Sequence, residues 1–372
     1  MLLQPKIIQL IPPKISLESI DQHIVATRPM REGSFNISIQ TTSEKCSPKT
    51  IINCYGHGGS GFTTLFGSVQ KAIDLFLAAK LDKKMPIRVI GAGCVGLTTA
   101  IELHRLGYNV SGITAKSLYD IPSWKTGGYF AFVSLKTSVL EQQNLNEIGL
   151  NTFLTYKSIE KGEHPYQPKN AVEYLPVYCS QETTSGVEDL ETRGFIPPRE
   201  NVTLHFNGGA THHGFVKFMT YFINTTVVMQ SLTAEVLRRK IPITIQAIAS
   251  FGEVKEECIF CCAGLGAREL QNDQKMIPVR GHLLTLNSLA GTDHMKYMIY
   301  TKVSEGDVDE YLYLFPKDRS ISTDNANETV CAGVVGGTFI PNVDDLPADE
   351  LAALDEREFA KLLARAQQFF YN

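Results

Sequence analysis

The sequence predicts a two-lobed α/β protein, and the chain length together with two glycine-rich turns supports this fold class. At 372 residues the chain exceeds the roughly 250–300 residues that a single core usually reaches, so we expect two lobes. The glycine-rich turns, at residues 56–61 and 91–96, each lie between a strand-like apolar run and a helix-like run. This order of elements is typical of βαβ units with parallel strands.

The second turn carries a dinucleotide-binding fingerprint. Gly91, Gly93 and Gly96 follow the apolar run Ile87-Arg88-Val89-Ile90 and precede a helix-like run that begins at residue 97. The first glycine permits a tight turn, the second lets the backbone approach a pyrophosphate, and the third allows helix and strand to pack closely. A second strand at 108–113 completes the unit, so the sequence predicts a Rossmann-type domain that holds phosphates at a helix N-terminus.

The expected ribose contact is missing from this fingerprint. An acidic residue about 20 positions after the turn usually binds the ribose hydroxyls. Here the second strand ends in Thr114-Ala115-Lys116, and no carboxylate occurs before Asp120. Lys116 is a candidate for a different contact to adenosine diphosphate, and a solvated loop lysine is the alternative. The missing acid weakens a simple NAD-binding interpretation.

The first turn reads Tyr55-Gly56-His57-Gly58-Gly59-Ser60-Gly61 and is the more specific of the two. Its glycines allow the backbone to lie flat against a planar ligand. Apolar residues at three- and four-residue steps predict a helix over 62–80. The amides of Gly61, Phe62 and Thr63 would then point at negative charge. The alternative is a glycine-rich hairpin beside the Rossmann unit, and for His57 we favour a structural role over that of a general base.

These motifs resemble the D-amino-acid oxidase family of FAD-dependent enzymes. The resemblance is carried by the following segments: 28–31 (Arg-Pro-Met-Arg), 51–67, 126–128, 262–264, 268–270, 278–282 and 311–316. In that family the dinucleotide fingerprint opens the chain and the Tyr-Gly-His-Gly-Gly turn closes it, whereas here the order is reversed. The chain therefore resembles a circular permutant, with departures from the family pattern at Asn53, Val69 and His282.

The resemblance implies an α/β fold with a Rossmann-type FAD-binding domain and an α+β, mixed-sheet substrate domain. The FAD-binding domain would comprise residues 35–128 and 191–281. The substrate domain would comprise residues 1–34, 129–190 and 282–372. The stretch 115–200 as a whole lacks an obvious long helical pattern and is interpreted as strands and loops, whereas residues 350–366 predict an amphipathic helix.

The resemblance also implies a set of site residues. Catalytic roles fall to Arg31, Tyr313 and Gly59, because the planar guanidinium of Arg31 would bind a substrate carboxylate and Tyr313 would donate its hydroxyl. The residues implied in FAD binding are Gly58, Gly59, Gly61, Phe62, Thr63, Gly91, Gly93, Val95, Gly96, Lys116, Thr126, Gly127, Gly128, Ala263 and Gly264. The amides at 61–63 would face the electron-rich edge of a reduced flavin.

The function implied is oxidation of a small amino acid, either a D-amino acid or a glycine-like one, by hydride transfer to FAD. The imine product would hydrolyse to a keto acid and ammonia, and dioxygen would become hydrogen peroxide. Two alternatives stay open at this point. One is an amine dehydrogenase that uses another electron acceptor, and the other is an inactive FAD-binding scaffold.

Composition narrows the other possibilities. A formal net charge of −4 and a pI near 6.2 give no basic surface for nucleic acid. No segment approaches the roughly 20 apolar residues of a membrane span, so we expect no membrane partner. Eight cysteines, several of them inside apolar runs, indicate buried thiols in a reducing compartment, so we expect a cytoplasmic location. The cysteines around Cys258-Ile-Phe-Cys261-Cys262 lack partners at zinc-ligand spacing, so we interpret them as buried thiols and expect no metal.

Overall fold

The computed structural model describes residues 5–42, 48–132, 139–183, 186–291, 295–303, 310–316 and 333–372. The strands of these residues form two sheets. They are β1 (Lys6–Leu10), β2 (Ile20–Arg31), β3 (Asn36–Thr41), β4 (Thr50–Tyr55), β5 (Ile87–Ile90), β6 (Val110–Ala115), β7 (Val172–Ser180), β8 (Glu200–Phe206), β9 (Thr211–Ile223), β10 (Ile243–Ile245), β11 (Cys258–Cys261), β12 (Met276–Leu286), β13 (Met298–Lys302), β14 (Tyr311–Phe315), β15 (Val334–Gly336) and β16 (Ile340–Pro341).

The helices pack against these sheets and against one another. They are α1 (Leu65–Ala78), α2 (Cys94–Arg105), α3 (Val139–Glu160), α4 (Glu188–Thr192), α5 (Thr225–Arg238), α6 (Ala267–Leu270) and α7 (Ala348–Tyr371). The predicted α/β fold class is therefore confirmed.

The six-stranded sheet has the order β10-β6-β5-β11-β4-β3. Its first five strands run parallel, and β3 pairs antiparallel with β4 at the edge. The predicted Rossmann unit appears as β5, α2 and β6, with β5 and β6 as parallel neighbours. Strand β11 separates β5 from β4, so the two strands that precede the glycine turns lie one strand apart.

The ten-stranded sheet is mixed and has the order β1-β8-β9-β7-β13-β14-β15-β12-β16, with β2 also pairing with β12. The long antiparallel pair of β2 and β12 brings Arg28 opposite Val279. Helix α7 covers the sheet with an apolar face on which Leu362, Ala366 and Phe370 are fully buried. This helix confirms the amphipathic pattern predicted for 350–366.

The expectation that residues 115–200 form only strands and loops is wrong, because α3 spans 22 residues of this stretch. Its buried positions include Leu145, Ile148, Phe153 and Tyr156, which have helical spacing. Polar Thr152 lies on the buried side and apolar Leu154 is 41% exposed, so the sequence pattern is diluted. At Gly67 of α1 an added Cβ would lie 2.0 Å from the Ile148 oxygen, so this glycine permits close helix packing. Residues 133–138 and 184–185 of the stretch lie outside the described residues.

The division into lobes and the circular permutation stay predictions. The six-stranded sheet draws its strands from residues 36–115 and 243–261, which lie within the predicted FAD-binding segments. Strands β8 and β9 also fall within 191–281, but they belong to the ten-stranded sheet. There β9 pairs with both β7 and β8. In the described part of the chain, no helix has both the length and the apolar character needed to cross a bilayer.

The packing of α7 predicts a matched pair of stability effects. Replacing Leu362, which is fully buried, with alanine should lower the free energy of unfolding by about 2–5 kcal/mol through lost burial and a residual cavity. Leu237→Ala on α5, where the side chain is 63% exposed, is the control and should have little effect. Denaturant titration measures both, and equal stability of the two variants would contradict the described docking of α7.

Candidate active site

The site is built where three parallel strands end side by side. The carboxyl ends of β4, β11 and β5 lie at one edge of the six-stranded sheet, because all three strands run in the same direction. Residues 56–61 follow β4, Cys262-Ala263-Gly264 follow β11, and residues 91–93 follow β5. Ligands of open α/β sheets bind outside such edges. The two predicted glycine turns are therefore parts of one site.

The dinucleotide turn has no room for side chains at its outer glycines. Gly91 has a φ of +109°, and a Cβ built on it would lie 2.2 Å from the Cys262 oxygen. A Cβ on Gly96 would lie 2.0 Å from the Gly91 oxygen. The Cys262 amide also donates to the Ile90 oxygen at 2.8 Å, which ties the end of β11 to that of β5. These contacts provide the close strand and helix approach that a bound pyrophosphate requires.

The other turn lies against β2. Gly56 and Gly58 have φ values of +86° and +58°, and an added Cβ would meet the Arg31 Cβ at 2.8 Å or the Met30 Cγ at 2.7 Å. Gly61 faces the start of α2, with its Cβ position 3.8 Å from the Cys94 sulfur. The two turns thus meet across a narrow gap. A ligand that lies along this gap would contact the backbone of both.

The structure differs from the sequence prediction just after Gly61. A 3₁₀ turn at Gly58–Ser60 comes first, and α1 begins only at Leu65, so residues 61–63 precede the helix instead of opening it. The Phe62 carbonyl accepts a hydrogen bond from the buried Tyr156 hydroxyl at 2.6 Å. The Thr63 hydroxyl donates to the Ala131 carbonyl at 3.4 Å. These bonds hold the end of the turn in place.

His57 is a buried histidine in this turn. It is 5% exposed and stacks on Phe35, with ring centroids 4.6 Å apart. Burial lowers the pKa of His57 to about 4, so the imidazole is neutral at neutral pH. Its Nε2 atom is buried without a hydrogen-bond partner among the described residues. A polar atom of this kind beside the cavity fits a site that a polar ligand completes.

One cavity of about 1180 Å³ joins these elements. Most of the residues predicted to bind FAD line it, namely Gly58, Gly59, Gly61, Phe62, Thr63, Gly91, Gly93, Val95, Lys116, Thr126, Gly127, Ala263 and Gly264. Gly96 and Gly128 do not line the cavity. Gly128 allows close backbone packing next to it, because an added Cβ would lie 2.2 Å from the Ile223 oxygen. The exposed Lys116 and Asp120 lie at the end of β6, where ribose contacts were sought in the sequence.

Arg31 lines the cavity but has a partner within the protein. Its Nε donates to the Asp273 carboxylate at 2.7 Å, and Nη1 donates to the Ser34 carbonyl at 2.9 Å. Burial raises the pKa of Asp273, but hydrogen bonds from Arg31 and Tyr55 outweigh this and hold it below its usual value. The Tyr55 hydroxyl donates to the same carboxylate at 2.9 Å. Arg31 is therefore linked through Asp273 to Tyr55, the last residue of β4 before the glycine turn.

Arg28 lies beside Tyr313 at the other end of the cavity. Its Nη1 donates to the Thr338 carbonyl at 3.1 Å, and its guanidinium lies 5.6 Å from the centre of the Phe339 ring. Burial raises the pKa of Tyr313 above its usual value, against the opposing effect of the adjacent Arg28, so the hydroxyl stays protonated. Arg28 was not among the site residues predicted from the sequence, although it occurs in the same Arg-Pro-Met-Arg segment as Arg31. The available signal was the motif itself, which contains two arginines.

Aromatic residues missed by the sequence analysis complete this end of the cavity. Tyr313 stacks on Phe315 with ring centroids 4.7 Å apart, and Tyr300 stacks on Tyr311 at 5.6 Å. Tyr129 lies 4.9 Å from Phe315, and its hydroxyl is buried without a partner among the described residues. A Cβ on Gly336 would lie 2.2 Å from Tyr313, so this glycine makes room for the ring. The wall is apolar with hydroxyl groups at a few points.

Cysteines line part of the cavity without forming a metal site. Cys54, Cys94 and Cys262 are buried, and burial raises the pKa of the Cys94 thiol to about 11. Across the ranges that the structure describes, no cluster of histidine, cysteine and acidic residues is arranged to hold a metal ion.

Comparison with known proteins identifies the family. Residues 87–372, more than half of the chain, match the family described as FAD dependent oxidoreductase, the D-amino-acid oxidase group, and the chain therefore belongs to it. The predicted family membership is confirmed, and FAD is the cofactor. A search of curated protein sequences finds no match.

The solved structures to which this chain is similar are distant from it in sequence. Fructosamine oxidase (Amadoriase II) from Aspergillus fumigatus is 14% identical, with 76% of this chain and 74% of that chain covered and a TM-score of 0.46. A mutant of Amadoriase I from the same organism is 14% identical, with 69% and 63% covered and a TM-score of 0.44. L-amino acid deaminase from Proteus vulgaris is 12% identical, with 44% and 40% covered and a TM-score of 0.30. The chain thus spans less than two thirds of the Amadoriase I mutant.

The dinucleotide turn predicts loss of FAD on a minimal substitution. Gly96→Ala places a methyl group 2.0 Å from the Gly91 oxygen, so the turn must open and FAD content should fall severely. Gly252→Ala is the matched control, because the atom nearest to the added methyl group would be the Ser250 hydroxyl oxygen, at 3.5 Å. Flavin absorbance per mole of purified protein measures the result. Full FAD content in Gly96→Ala would contradict the description of this turn.

The buried His57 predicts a pH effect on stability. A histidine whose pKa falls from 6.5 to about 4 on folding is protonated more readily in the unfolded chain, so stability decreases as the pH falls through this interval. Between pH 7.5 and 5 this residue should cost about 2 kcal/mol of the free energy of unfolding. His57→Asn should reduce the pH dependence by that amount in denaturant titrations. His164, whose pKa burial also lowers to about 4, contributes equally to both proteins. If the parent protein and His57→Asn showed the same pH dependence of stability, the lowered pKa of His57 would be refuted.

Proposed function

We propose that this FAD-dependent oxidoreductase oxidises an amino acid and that Arg28 and Tyr313 bind the substrate carboxylate. The observation that carries the proposal is the adjacency of the Arg28 guanidinium and the Tyr313 hydroxyl within the cavity that the glycine turns also line. A planar guanidinium offers two parallel donors to a carboxylate. The tyrosine hydroxyl, kept protonated by burial, supplies a further donor.

The contacts of the two arginines favour Arg28 over Arg31 as the carboxylate ligand. Arg31 already pairs with Asp273, and adding a substrate carboxylate would require it to leave that partner. Among the described residues Arg28 forms no ion pair, and a neutral carbonyl and an aromatic ring hold it. The role of Arg31 in the sequence prediction therefore passes to Arg28 in this proposal. Arg31 keeps a supporting role behind Gly56.

The remaining groups orient the substrate and limit access of water. Tyr129, Tyr300, Tyr311, Phe315 and Phe339 form an aromatic wall next to Arg28 and favour an apolar side chain on the substrate. Gly58, Gly59 and Gly61 would support the flavin ring, and the fingerprint glycines would hold the diphosphate. When bound, FAD supplies the acceptor for the hydride of the substrate Cα. The protein contributes positioning and a pocket wall of largely apolar side chains.

We propose dioxygen as the electron acceptor, with an imine that hydrolyses to a keto acid and ammonia. A dehydrogenase with another acceptor is the competing function, and a catalytically inactive scaffold is the third. Anaerobic mixing with a panel of D- and L-amino acids, glycine and N-methylglycine tests the oxidation itself through bleaching of the flavin spectrum. Peroxide formed in air, one mole per mole of substrate, supports the oxidase. Bleaching without peroxide supports the dehydrogenase, and no bleaching supports the scaffold.

The proposal predicts different effects for the two arginines. Arg28→Met should raise the Michaelis constant for an amino-acid substrate by two or more orders of magnitude, on the roughly 2–5 kcal/mol scale of a truncated buried charge contact. Arg31→Met leaves Asp273 without its cation, so it should lower stability and raise the Michaelis constant less. Steady-state kinetics and thermal melting compare the variants. A larger kinetic effect of Arg31→Met would return the carboxylate contact to Arg31.

A further inference from the structure

Strand β12 passes beneath Arg28 and shows different residues on its two faces. Gly281 lies on the same side as Arg28, and a Cβ built on it would lie 2.4 Å from the Arg28 Nη1, so a side chain there would displace the guanidinium. The flanking Arg280 and His282 face the opposite side, because side chains alternate along a strand. There they meet Asp355 of α7. The strand therefore separates the proposed carboxylate site from the C-terminal helix.

Asp355 binds both side chains on that opposite face. Arg280 donates to its two oxygens at 2.8 and 2.7 Å, and His282 Nε2 contacts Oδ1 at 2.8 Å. The hydrogen bonds from Arg280 lower the pKa of Asp355, against the raising effect of burial, and the bond from His282 adds to them. An ionised Asp355 can only accept, so His282 must carry its proton on Nε2. His282 is fully buried, which fixes the ring between these partners.

Thr338 connects this cluster with Arg28. Its hydroxyl oxygen accepts from the His282 backbone amide at 2.7 Å and lies 2.9 Å from His282 Nδ1. In the tautomer with the proton on Nε2, the threonine hydroxyl donates to Nδ1. The carbonyl of the same residue accepts from Arg28 Nη1 at 3.1 Å. Thr338 is 6% exposed, and its two sets of hydrogen bonds link His282 to the Arg28 guanidinium.

We propose that His282, Asp355 and Thr338 are positioning residues that fix the Arg28 guanidinium for carboxylate binding. This inference rests on the proposed function, since it assigns a purpose to the direction of Arg28. The guanidinium has rotatable bonds that a carbonyl at a fixed place can restrict, and restricting them before binding reduces the entropy lost on binding. Helix α7 thereby contributes to the site through Asp355 without touching it. The relay also gives a role to His282, where the resembled family commonly has glutamine.

The test uses the FAD-loaded enzyme and two small probes that differ in charge. Benzoate has the carboxylate that Arg28 would bind, and benzamide has the same ring without the charge. Thr338→Val removes the hydroxyl and keeps the carbonyl, and Asp355→Asn weakens the pairing with His282. Each should raise the dissociation constant of benzoate about tenfold, the effect of losing one well-placed hydrogen bond, and leave that of benzamide unchanged. Calorimetric titration measures both constants.

Two control variants separate positioning from general loss of structure. Thr301→Val makes the same chemical change at a threonine of the same sheet that is 1% exposed. Among the described residues, its hydroxyl bonds only to the Lys302 carbonyl. Ile159→Ala, at a fully buried position of α3, lowers stability at a helix that carries none of the relay residues. Both should leave the two dissociation constants within about twofold of the parent. Thr338→Val and Asp355→Asn combined should have less than the sum of their separate effects on benzoate binding, because both act through His282.

Two results would overturn the relay. One is benzoate binding that stays within about twofold in Thr338→Val and Asp355→Asn, and the other is an equal loss of benzoate and benzamide binding. Arg28→Met distinguishes this failure from failure of the proposed function. If Arg28→Met abolishes the preference for benzoate while the relay variants keep it, the carboxylate site stands and the relay is wrong. If Arg28→Met keeps the preference, Arg28 does not bind the carboxylate and both proposals fail.

Discussion

The contact between the ends of β5 and β11 is the constraint on which the rest of the site depends. The Gly91 backbone lies so close to the Cys262 carbonyl, and Gly96 so close to Gly91, that no side chain fits at either glycine. This contact aligns the strand ends, and β4 on the other side of β11 brings the second glycine turn to the same edge. One cavity then has a phosphate-binding turn and a flat glycine backbone in its walls. The ten-stranded sheet closes the cavity with polar groups from β2 and β14.

The sequence predicted the glycine turns well because each depends on local backbone geometry. Gly91, Gly93 and Gly96 mark a βαβ turn by spacing alone, and the parallel pairing of β5 with β6 follows from it. The expectation that the two turns meet came from the family resemblance, because the sequence alone does not give the order of strands in a sheet. In the structure, β11 lies between β4 and β5 and is parallel to both, so the two turns that follow these strands lie at the same edge of the sheet. The order of the turns along the chain is compatible with this sheet, whose neighbours need not be consecutive in sequence.

The sequence was less informative about which arginine faces the substrate. Arg28 and Arg31 lie in one short motif, and choosing between them requires knowing the register of β2 against β12 and the position of Asp273. Asp273 is more than 240 residues away in sequence, so no local pattern connects it with Arg31. The aromatic wall was missed for the same reason, because Tyr129, Tyr300 and Phe339 come from separate segments. Helix α3 was missed because polar residues dilute its buried face.

The central claim is that FAD lies between the two glycine turns and that the substrate carboxylate binds to Arg28. A crystal structure of the FAD-loaded enzyme with bound benzoate tests it most directly. We expect the diphosphate at residues 91–96, the flavin ring along residues 56–61, and the benzoate carboxylate against Arg28 and Tyr313. A flavin ring away from residues 56–61, or a carboxylate bound to Arg31 in place of Asp273, would contradict it.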